Sequence, residues 1–396
     1  MALDENGTSG LIATNRMTFP SRFTHLDAAR ARFGDRVDRL GAFLTRGDAL
    51  ADDVAASIET DESGRASWEL FESAARSGIE RFADAPASFR ALFESVERVP
   101  AWVDWGTVDR GGDVLLRAGP LGGIVLGCYS LVLGFASPGG NKPLVLSGRL
   151  ERQAARRLRE TAQFVHATIA RGSMRPHGQG WQSALRVRLV HARLRRAIHR
   201  TGLWNDAWGV PINQHDEAGT SLLFSVAVLQ GLRKLGVLVG PDEAEAYVQL
   251  WRWSGWLMGI DAELLPASEA EGERLGELIA ATQGDPDDDS RSLTRALLEA
   301  PLRAATNAKE RQRARRIVAT STTMCRALLG DVLADRLAVP KTRARHAVPL
   351  LRRLVSGAEH ARARVPLGNA AAFWAGRRYW DRVVSRGDGG PSPSLR

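Results

Sequence analysis

The sequence predicts an all-α fold, built as a single large helical domain. With 44% hydrophobic and 25% charged residues, the 396-residue chain has the composition of a folded globular protein. Apolar side chains recur at helical spacing along most of the chain, and alternating runs typical of strands are few. We see no internal repeat and no strong linker. We therefore expect an N-terminal arm over residues 1–33, one helical domain over 34–380 and a flexible C-terminal tail over 381–396.

The first half of the domain predicts amphipathic helices followed by a buried apolar segment. Helical spacing runs through residues 35–100 and stops at Pro100. An uncharged stretch between Arg117 and Lys142 is long enough to be considered as a membrane span. Gly and Pro interrupt it and leave an apolar core over 124–136, which is short for a bilayer. We expect a buried helix here and no stable membrane span.

The second half predicts a series of long helices, because Gly, Asn or Pro bounds each periodic stretch. The predicted helices cover 147–173, 181–200, 213–235, 241–258, 267–282, 288–302, 308–337 and 347–359.

Charge and cysteine content narrow the function classes. The formal net charge is +9, but the arginines that cause it interleave with apolar residues and form no separate arm, so we expect no nucleic-acid partner. Cys128 and Cys325 lie in apolar helical stretches without metal-binding spacing, which predicts two buried free thiols. The N-terminal residues show no basic and apolar export signal, so a cytoplasmic location is expected. The sequence does not indicate an oligomeric state.

The segment RVRLVHARLRRAIHR contains the strongest candidate for a site. Arg188, His191 and Arg195 stand at i, i+3 and i+7, which places one imidazole between two guanidinium groups. Val187 and Leu194 lie near the same side, so the histidine sits at an apolar border where it could bind a flat metal macrocycle. The arginines could then pair with carboxylates of that macrocycle. A packed or surface histidine gives the same pattern, so independent support is needed.

The preceding helix adds a cation and a hydroxyl. Arg157 and Thr161 are one turn apart and share a face with the apolar stripe, where they could orient dioxygen. Taken alone, Arg157 is equally a snorkelling side chain, and Thr161 is equally a hydroxyl bonded to its own helix.

Three segments, RRLRETAQFV, ALRVRLVHARLR and WGVPINQHDEAGTSLLFS, resemble in order and spacing the latex clearing protein / MpaB-type oxygenase family, the rubber oxygenase catalytic domain. The resemblance covers residues 71–329. It implies a helical bundle with a globin-like core around haem b, with His191 as the metal ligand. It also implies that Arg157 and Thr161 are the polar pair beside the haem. Arg188 and Arg195 match further arginines of the histidine helix and are the expected cofactor-binding residues.

The chain departs from the rubber-cleaving members at two positions. Those members are thought to use a glutamate upstream of the Arg/Thr pair as a base, whereas this chain has no acidic residue between Asp113 and Glu151. They also carry a lysine just before the threonine, where this chain has Glu160. Together with the absent export signal, these departures predict a substrate other than rubber.

Three other histidines are rival iron ligands. His166 follows Thr161 by about one turn, and His215 lies in the NQHD segment. His199 ranks second to His191, because it lies two turns further on nearly the same side of the helix. In the same NQHD segment, Asn213 or Asp216 could equally serve as a helix cap.

The hypothesis we favour is a haem-dependent oxygenase that acts with O₂ on a small hydrophobic substrate, such as an isoprenoid or lipid-like alkene. A non-catalytic haem-binding sensor or carrier is one alternative, because the glutamate and lysine are missing. A metal-free helical binding protein is another, and composition and spacing alone reach no further than a helical protein.

Overall fold

The computed structural model describes residues 18–60, 64–147 and 149–385, and no strand occurs within these ranges. The α-helices in chain order are α1 (Leu26–Phe33), α2 (Arg36–Ala42), α3 (Ala49–Thr60), α4 (Arg65–Ser77), α5 (Ala87–Glu97), α6 (Trp105–Gly111), α7 (Asp113–Ala118), α8 (Pro120–Val125), α9 (Leu131–Gly134), α10 (Pro138–Ser147), α11 (Arg149–Ile169), α12 (Gln179–Arg200), α13 (Gln214–Phe224), α14 (Val226–Lys234), α15 (Pro241–Leu257), α16 (Glu269–Ala281), α17 (Asp288–Arg303), α18 (Ala308–Leu329), α19 (Asp331–Arg336), α20 (Val348–Arg364) and α21 (Gly368–Ser385). The predicted all-α, single-domain fold is confirmed.

Shorter helical turns connect several of these helices. A π-helical turn, Leu126–Ser130, joins α8 to α9. Turns of 3₁₀-helix lie at Phe43–Thr45, Ile79–Arg81, Asp206–Trp208, Ala262–Leu264 and Arg343–Ala347.

One large apolar core holds the long helices together. Helix α11 packs along α12 and against α17, and α12 also packs against α3 and α15. Trp181 of α12 and Trp253 of α15 are completely buried in this core. The Trp253 ring packs edge-on against Trp105, with ring centroids 5.8 Å apart. These tryptophans therefore serve as packing residues between helices, each burying a large apolar area.

Residues 18–33, the described part of the predicted N-terminal arm, are packed against the domain. Phe23 is buried, and its ring lies edge-on to Phe19 at 5.4 Å. Arg22 donates two hydrogen bonds to the carboxylate of Asp216 at the start of α13, one of them 3.0 Å long. The aromatic rings and this ion pair fix the segment to the domain. Residues 1–17 of the predicted arm lie outside the described residues.

Two predicted helices are each divided into two. The helix predicted over 213–235 breaks at Ser225, where the backbone leaves the helical region with φ −101° and ψ −96°. The helix predicted over 308–337 breaks at Gly330, whose φ of +83° lies in the left-handed region. In both cases the prediction of one continuous helix was wrong, because the apolar period continues across the break.

The uncharged segment forms α8, the π-helical turn, α9 and the start of α10. Val125, Cys128 and Val132 are buried in the main core, as expected of a buried segment. No single helix among the described residues is long and apolar enough to cross a membrane. A pair of helical stretches, residues 105–118 and 120–134, reaches that length and composition together, with a bend of 91° between them.

Helix α21 was not predicted from the sequence. It packs on α7, where the indole Nε1 of Trp380 donates to the carbonyl of Leu115 at 3.2 Å. Gly376 lies against the carbonyl of Leu116, and a Cβ atom at this position would overlap it. The helix continues to Ser385, so residues 381–385 of the predicted tail are helical. The remainder of that tail lies outside the described residues.

Candidate functional site

His191 is hydrogen-bonded to a buried carboxylate. Its imidazole lies on α12 with 27% of the side chain exposed, and its Nδ1 is 2.6 Å from Oε1 of Glu217 on α13. The carboxylate of Glu217 is only 8% exposed. A carboxylate only accepts hydrogen bonds, so Nδ1 carries the proton and Nε2 keeps its lone pair in the neutral ring. Among the described residues, Nε2 of His191 has no hydrogen-bond partner.

The position of Glu217 is set by the start of α13. Asn213 caps this helix, its Oδ1 accepting from the backbone N–H of Asp216 at 3.0 Å. The side-chain amide of Gln214 donates to the carbonyls of Gly47 and Gly259, at 3.0 and 2.9 Å. The first turn of α13, which contains Glu217, is thereby held against two loops. The capping role considered for Asn213 is confirmed.

Arg188 and Arg195 are both buried and both face α3. Arg188 donates to the two carboxylate oxygens of Asp48 at 2.7 and 2.9 Å. Arg195 donates to Asp52 at 2.9 Å and to the carbonyl of Ile212 at 2.6 Å. Burial raises the pKa of Asp52 above its ordinary value, although the adjacent guanidinium of Arg195 opposes this shift.

The two arginines therefore connect the histidine helix to α3, an arrangement that the sequence did not suggest. They differ in one respect. Nη2 of Arg195 is buried and has no acceptor among the described residues. Arg188, in contrast, donates to Asp48 through Nε and Nη2, and its Nη1 lies 3.4 Å from the carbonyl of Leu257. The predicted contact of either arginine with a cofactor carboxylate stays a prediction.

Arg157 and Thr161 lie on α11, which packs along α12, the helix that carries His191. Both side chains are half-buried. Phe164, on the same face one turn after Thr161, packs against Phe224 and Trp251 with ring centroids 6.3 and 6.0 Å apart. Phe224 and Trp251 stack at 5.2 Å, which completes an aromatic cluster.

This aromatic cluster lies at the opposite end of α13 from the His191 contact. Glu217 and Phe224 are seven residues apart, which is about 10 Å along a helix and places them on one face. Helix α13 therefore carries the carboxylate that bonds His191 near its start and an aromatic side chain at its end, on the same face.

The two departures from the rubber-cleaving pattern are visible in the structure. Glu160 is about half exposed, and its carboxylate accepts from Nε of Arg156 at 2.8 Å. Helix α10, which contacts both α11 and α12, has no acidic residue. Its buried polar residue is Asn141, whose amide donates to the carbonyl of Phe135 at 2.8 Å and to Oγ of Ser290 at 3.1 Å.

The rival histidines have other surroundings. Nε2 of His166 lies 3.1 Å from the carboxylate of Asp381 on α21. His199, ranked second from the sequence, is exposed at the end of α12. His215 is buried beside the ring of Phe23, and its Nδ1 lies 3.7 Å from the carboxylate of Asp216, beyond hydrogen-bond distance. Of these four histidines, His191 alone joins a buried carboxylate on Nδ1 to an open Nε2.

A metal held only by protein side chains would need several ligands together. In the residues that the structure describes, no three His, Cys, Asp or Glu side chains come together in a group that could hold a metal ion. A haem needs only one protein ligand, because the macrocycle supplies the other in-plane donors. The arrangement around His191 fits that requirement.

Glu217 is the site residue that the sequence reasoning missed. Glu217 lies in the segment WGVPINQHDEAGTSLLFS. It pairs with His191, which is 26 positions away on a different helix. An acidic residue in the first turn of a helix is usually explained by the helix dipole, so the sequence offered no separate signal for the contact.

The described chain is thus an all-α protein in which a half-buried histidine is oriented by a buried carboxylate. The family model described as "ER-bound oxygenase mpaB/B'/Rubber oxygenase, catalytic domain" matches residues 115–360, which is more than half of the chain. The chain therefore belongs to this oxygenase family. The resemblance inferred from the three sequence segments is confirmed.

Individual relatives agree with this assignment. The rubber oxygenase of Streptomyces sp. (strain K30) is 27% identical over 187 residues, which is 46% of each chain, so the alignment spans about half the length of that relative. The structure of latex clearing protein LCP in the closed state superposes with a TM-score of 0.68 at 22% identity, covering 86% of this chain and 91% of that chain. The latter likeness shows a shared fold.

Proposed function

We propose that this chain is a haem-b-dependent oxygenase that acts with O₂ on a small, hydrophobic, unsaturated substrate. The observation that supports it most strongly is the His191–Glu217 pair, in which a buried carboxylate holds the proton on Nδ1 and leaves Nε2 open. Histidines that bind metals commonly donate their other ring N–H to a carboxylate in this way. His191 would then hold the haem iron through Nε2.

Two further features fit a haem. The buried Nη2 of Arg195 lacks an acceptor among the described residues, and a propionate is an acceptor of suitable charge. The neighbouring faces of α11 and α13 are apolar toward Phe164 and Phe224, as a site for an apolar macrocycle and substrate requires. Arg188 is already paired with Asp48, so we propose that it positions α12 rather than the cofactor.

The haem would supply the one-electron and dioxygen chemistry that side chains cannot perform. Glu217 holds the Nδ1 proton and fixes the orientation of the imidazole ring. Arg157 and Thr161 supply a cation and a hydroxyl donor that orient dioxygen. The cluster of Phe164, Phe224 and Trp251 excludes water and contacts the apolar part of the substrate.

We propose an isoprenoid or lipid-like alkene as the substrate, and not rubber. Helix α10 offers no carboxylate, and Asn141 directs its amide to Phe135 and Ser290. Glu160 is turned to solvent and paired with Arg156. A reaction that depends on a carboxylate base at α10 therefore lacks that base here. Cleavage of a carbon–carbon double bond would yield two carbonyl products.

The same missing carboxylate favours the second candidate, a haem-binding sensor or carrier without turnover. Oxygen uptake by the haem-loaded protein, measured with a panel of short isoprenoid and fatty-acyl alkenes and followed by detection of carbonyl products, separates the two. We expect uptake with at least one alkene, a loss of about 10²-fold or more in Thr161→Val or Arg157→Ala, and little change in the control Arg159→Ala, which is exposed on the same helix. Haem-loaded protein that consumes no oxygen with any alkene would identify the sensor or carrier.

A further inference from the structure

The net positive charge of the chain is concentrated at its C-terminal end. Residues 1–340 contain equal numbers of basic and acidic residues. Residues 341–385 contain ten Lys and Arg against two Asp and Glu, which accounts for nearly all of the chain's net charge of +9. Most of this segment forms the hairpin of α20 and α21, two helices that contact each other, and seven of the ten basic residues lie in the hairpin.

The same hairpin exposes large apolar side chains. Leu350 and Leu354 are 59% and 63% exposed, and they lie one turn apart on α20, none of whose side chains is buried. Val365 and Leu367, in the turn between the helices, are 58% and 82% exposed, and Trp374 on α21 is 65% exposed. Five of the nine large apolar side chains exposed among the described residues therefore lie in this hairpin.

The hairpin is attached to the domain by contacts of its other residues, so its exposed apolar side chains do not indicate that it is detached. Trp380 of α21 is buried against α7. Glu359 of α20 accepts from Arg117 at 2.7 Å and from the backbone N–H of Leu238 at 3.2 Å. Arg362 also pairs with Glu359, at 2.9 Å. The exposed residues therefore lie on helices that are held against the domain.

The arginines beside the apolar residues are available to an external anion. Arg352, Arg353, Arg364 and Arg377 form no ion pair with a carboxylate within the described ranges. The guanidinium of Arg378 lies 5.7 Å from the Trp374 ring, which leaves the indole and the cation on one surface. The hairpin therefore exposes leucine, tryptophan and arginine side chains together.

We propose that the α20–α21 hairpin docks on the surface of an anionic lipid bilayer. Leu350, Leu354, Leu367 and Trp374 would enter the headgroup boundary, and the arginines would contact lipid phosphates. Combined apolar and basic exposure is typical of helices that lie in the membrane interface, where tryptophan is also preferred. Anionic lipids attract such basic segments over roughly a Debye length.

Two other occupants fit the surface less well. A second copy of the chain packed on the same face would bring two strongly basic hairpins together, and their charges would repel each other. A nucleic acid would match the arginines but would leave the exposed leucines without an apolar partner. The proposal does not depend on haem binding, because none of the residues of α20 and α21 on which it rests belongs to the His191–Glu217 site.

The test is co-sedimentation of the full-length protein with vesicles of phosphatidylcholine alone and of phosphatidylcholine mixed with phosphatidylglycerol. We expect binding to the anionic vesicles that weakens as salt is raised and is roughly tenfold or more weaker on the neutral ones. Arg352→Ser/Arg353→Ser should lower the affinity by about tenfold or more. The control Arg311→Ser/Arg315→Ser, which removes two exposed arginines from α18, should not.

An apolar pair of variants tests insertion separately. Leu354→Ser/Trp374→Ser should also lower the affinity for anionic vesicles, whereas Leu203→Ser, at an exposed leucine outside the hairpin, should leave it unchanged. Circular dichroism confirms that each variant is folded. The proposal would be overturned if the wild type did not bind anionic vesicles, or if the control variants lost as much affinity as the hairpin variants. It would also be overturned if only the arginine variant lost affinity. If the protein instead self-associates without binding vesicles, and Leu354→Ser/Trp374→Ser abolishes the self-association, the surface binds a second copy of the chain. That result would also overturn the proposal.

Discussion

Replacing Glu217 by glutamine removes the negative charge beside His191 while keeping an acceptor of nearly the same shape. In the native site the carboxylate is 8% exposed and lies 2.6 Å from Nδ1. A hydrogen bond to a charged group contributes about 1.5–3 kcal/mol to stability, whereas a bond between neutral groups contributes about 0.5–1.5 kcal/mol. The difference of about 1–1.5 kcal/mol corresponds to roughly a tenfold change in an equilibrium constant.

We therefore expect Glu217→Gln to weaken haem binding by about tenfold, at the lower end of the range of 10–100-fold for outer partners of metal ligands. Glu217→Ala should weaken it further, because it leaves the Nδ1–H of His191 without its acceptor. The redox potential should rise in Glu217→Gln. The native carboxylate makes the imidazole a stronger donor, which favours ferric over ferrous iron, and a neutral amide does so less.

The assay is titration of the apoprotein with hemin, followed by absorbance, together with a spectroelectrochemical midpoint potential. Glu160→Gln is the matched control, because Glu160 is exposed on the neighbouring helix and bonds only Arg156 among the described residues. An affinity and a potential that both stay at wild-type values in Glu217→Gln would refute the reasoning. Equal shifts in Glu160→Gln would refute it too.

Three further predictions concern stability and reactivity. Burial is the largest influence on the pKa of Asp216 and raises it, but Arg22 and His215 together outweigh burial and hold that pKa below the ordinary value of 3.8. The contribution of the Arg22–Asp216 pair to stability is therefore complete above that pH and is lost as pH falls through the lower, folded-state pKa. Arg22→Met should cost about 3–5 kcal/mol in urea unfolding at pH 7, and the difference from wild type should narrow in acid. Burial raises the pKa of Cys128 to about 11 and that of Cys325 to about 12, so neither thiol should react with a disulfide reagent near pH 8 until the protein is denatured. Trp380→Ala should lower the free energy of unfolding by about 3–5 kcal/mol in the same urea assay, because it empties the contact of α21 with α7; a loss below about 1 kcal/mol would contradict that packing.

Helix positions were predictable where the chain carries its own stop signals. Helices α12 and α15 begin and end close to their predicted bounds, because Gly178, Gly240 and Pro241 mark the boundaries in the sequence. The break at Ser225 has no such residue. Helix α21 was overlooked because its fully buried residues are only Gly376 and Trp380, so the apolar period is weak.

The site was predictable only in part, for a related reason. The histidine and its flanking arginines lie within one helix, so their spacing is visible in the sequence. Their partners are not, because Asp52 on α3 and Asp48 just before it are more than 100 residues away, and Glu217 lies on another helix. Pairing of this kind depends on how the helices pack, and a single sequence contains no direct record of it.

The central claim is that His191 holds a haem, and an absorbance spectrum tests it most directly. Wild type, His191→Ala and the control His199→Ala are purified from haem-supplemented cells. We predict a Soret band in wild type that is lost or shifted in His191→Ala and unchanged in His199→Ala, whose side chain is exposed. Wild-type protein without haem, or a Soret band that His191→Ala leaves unchanged, would contradict the claim.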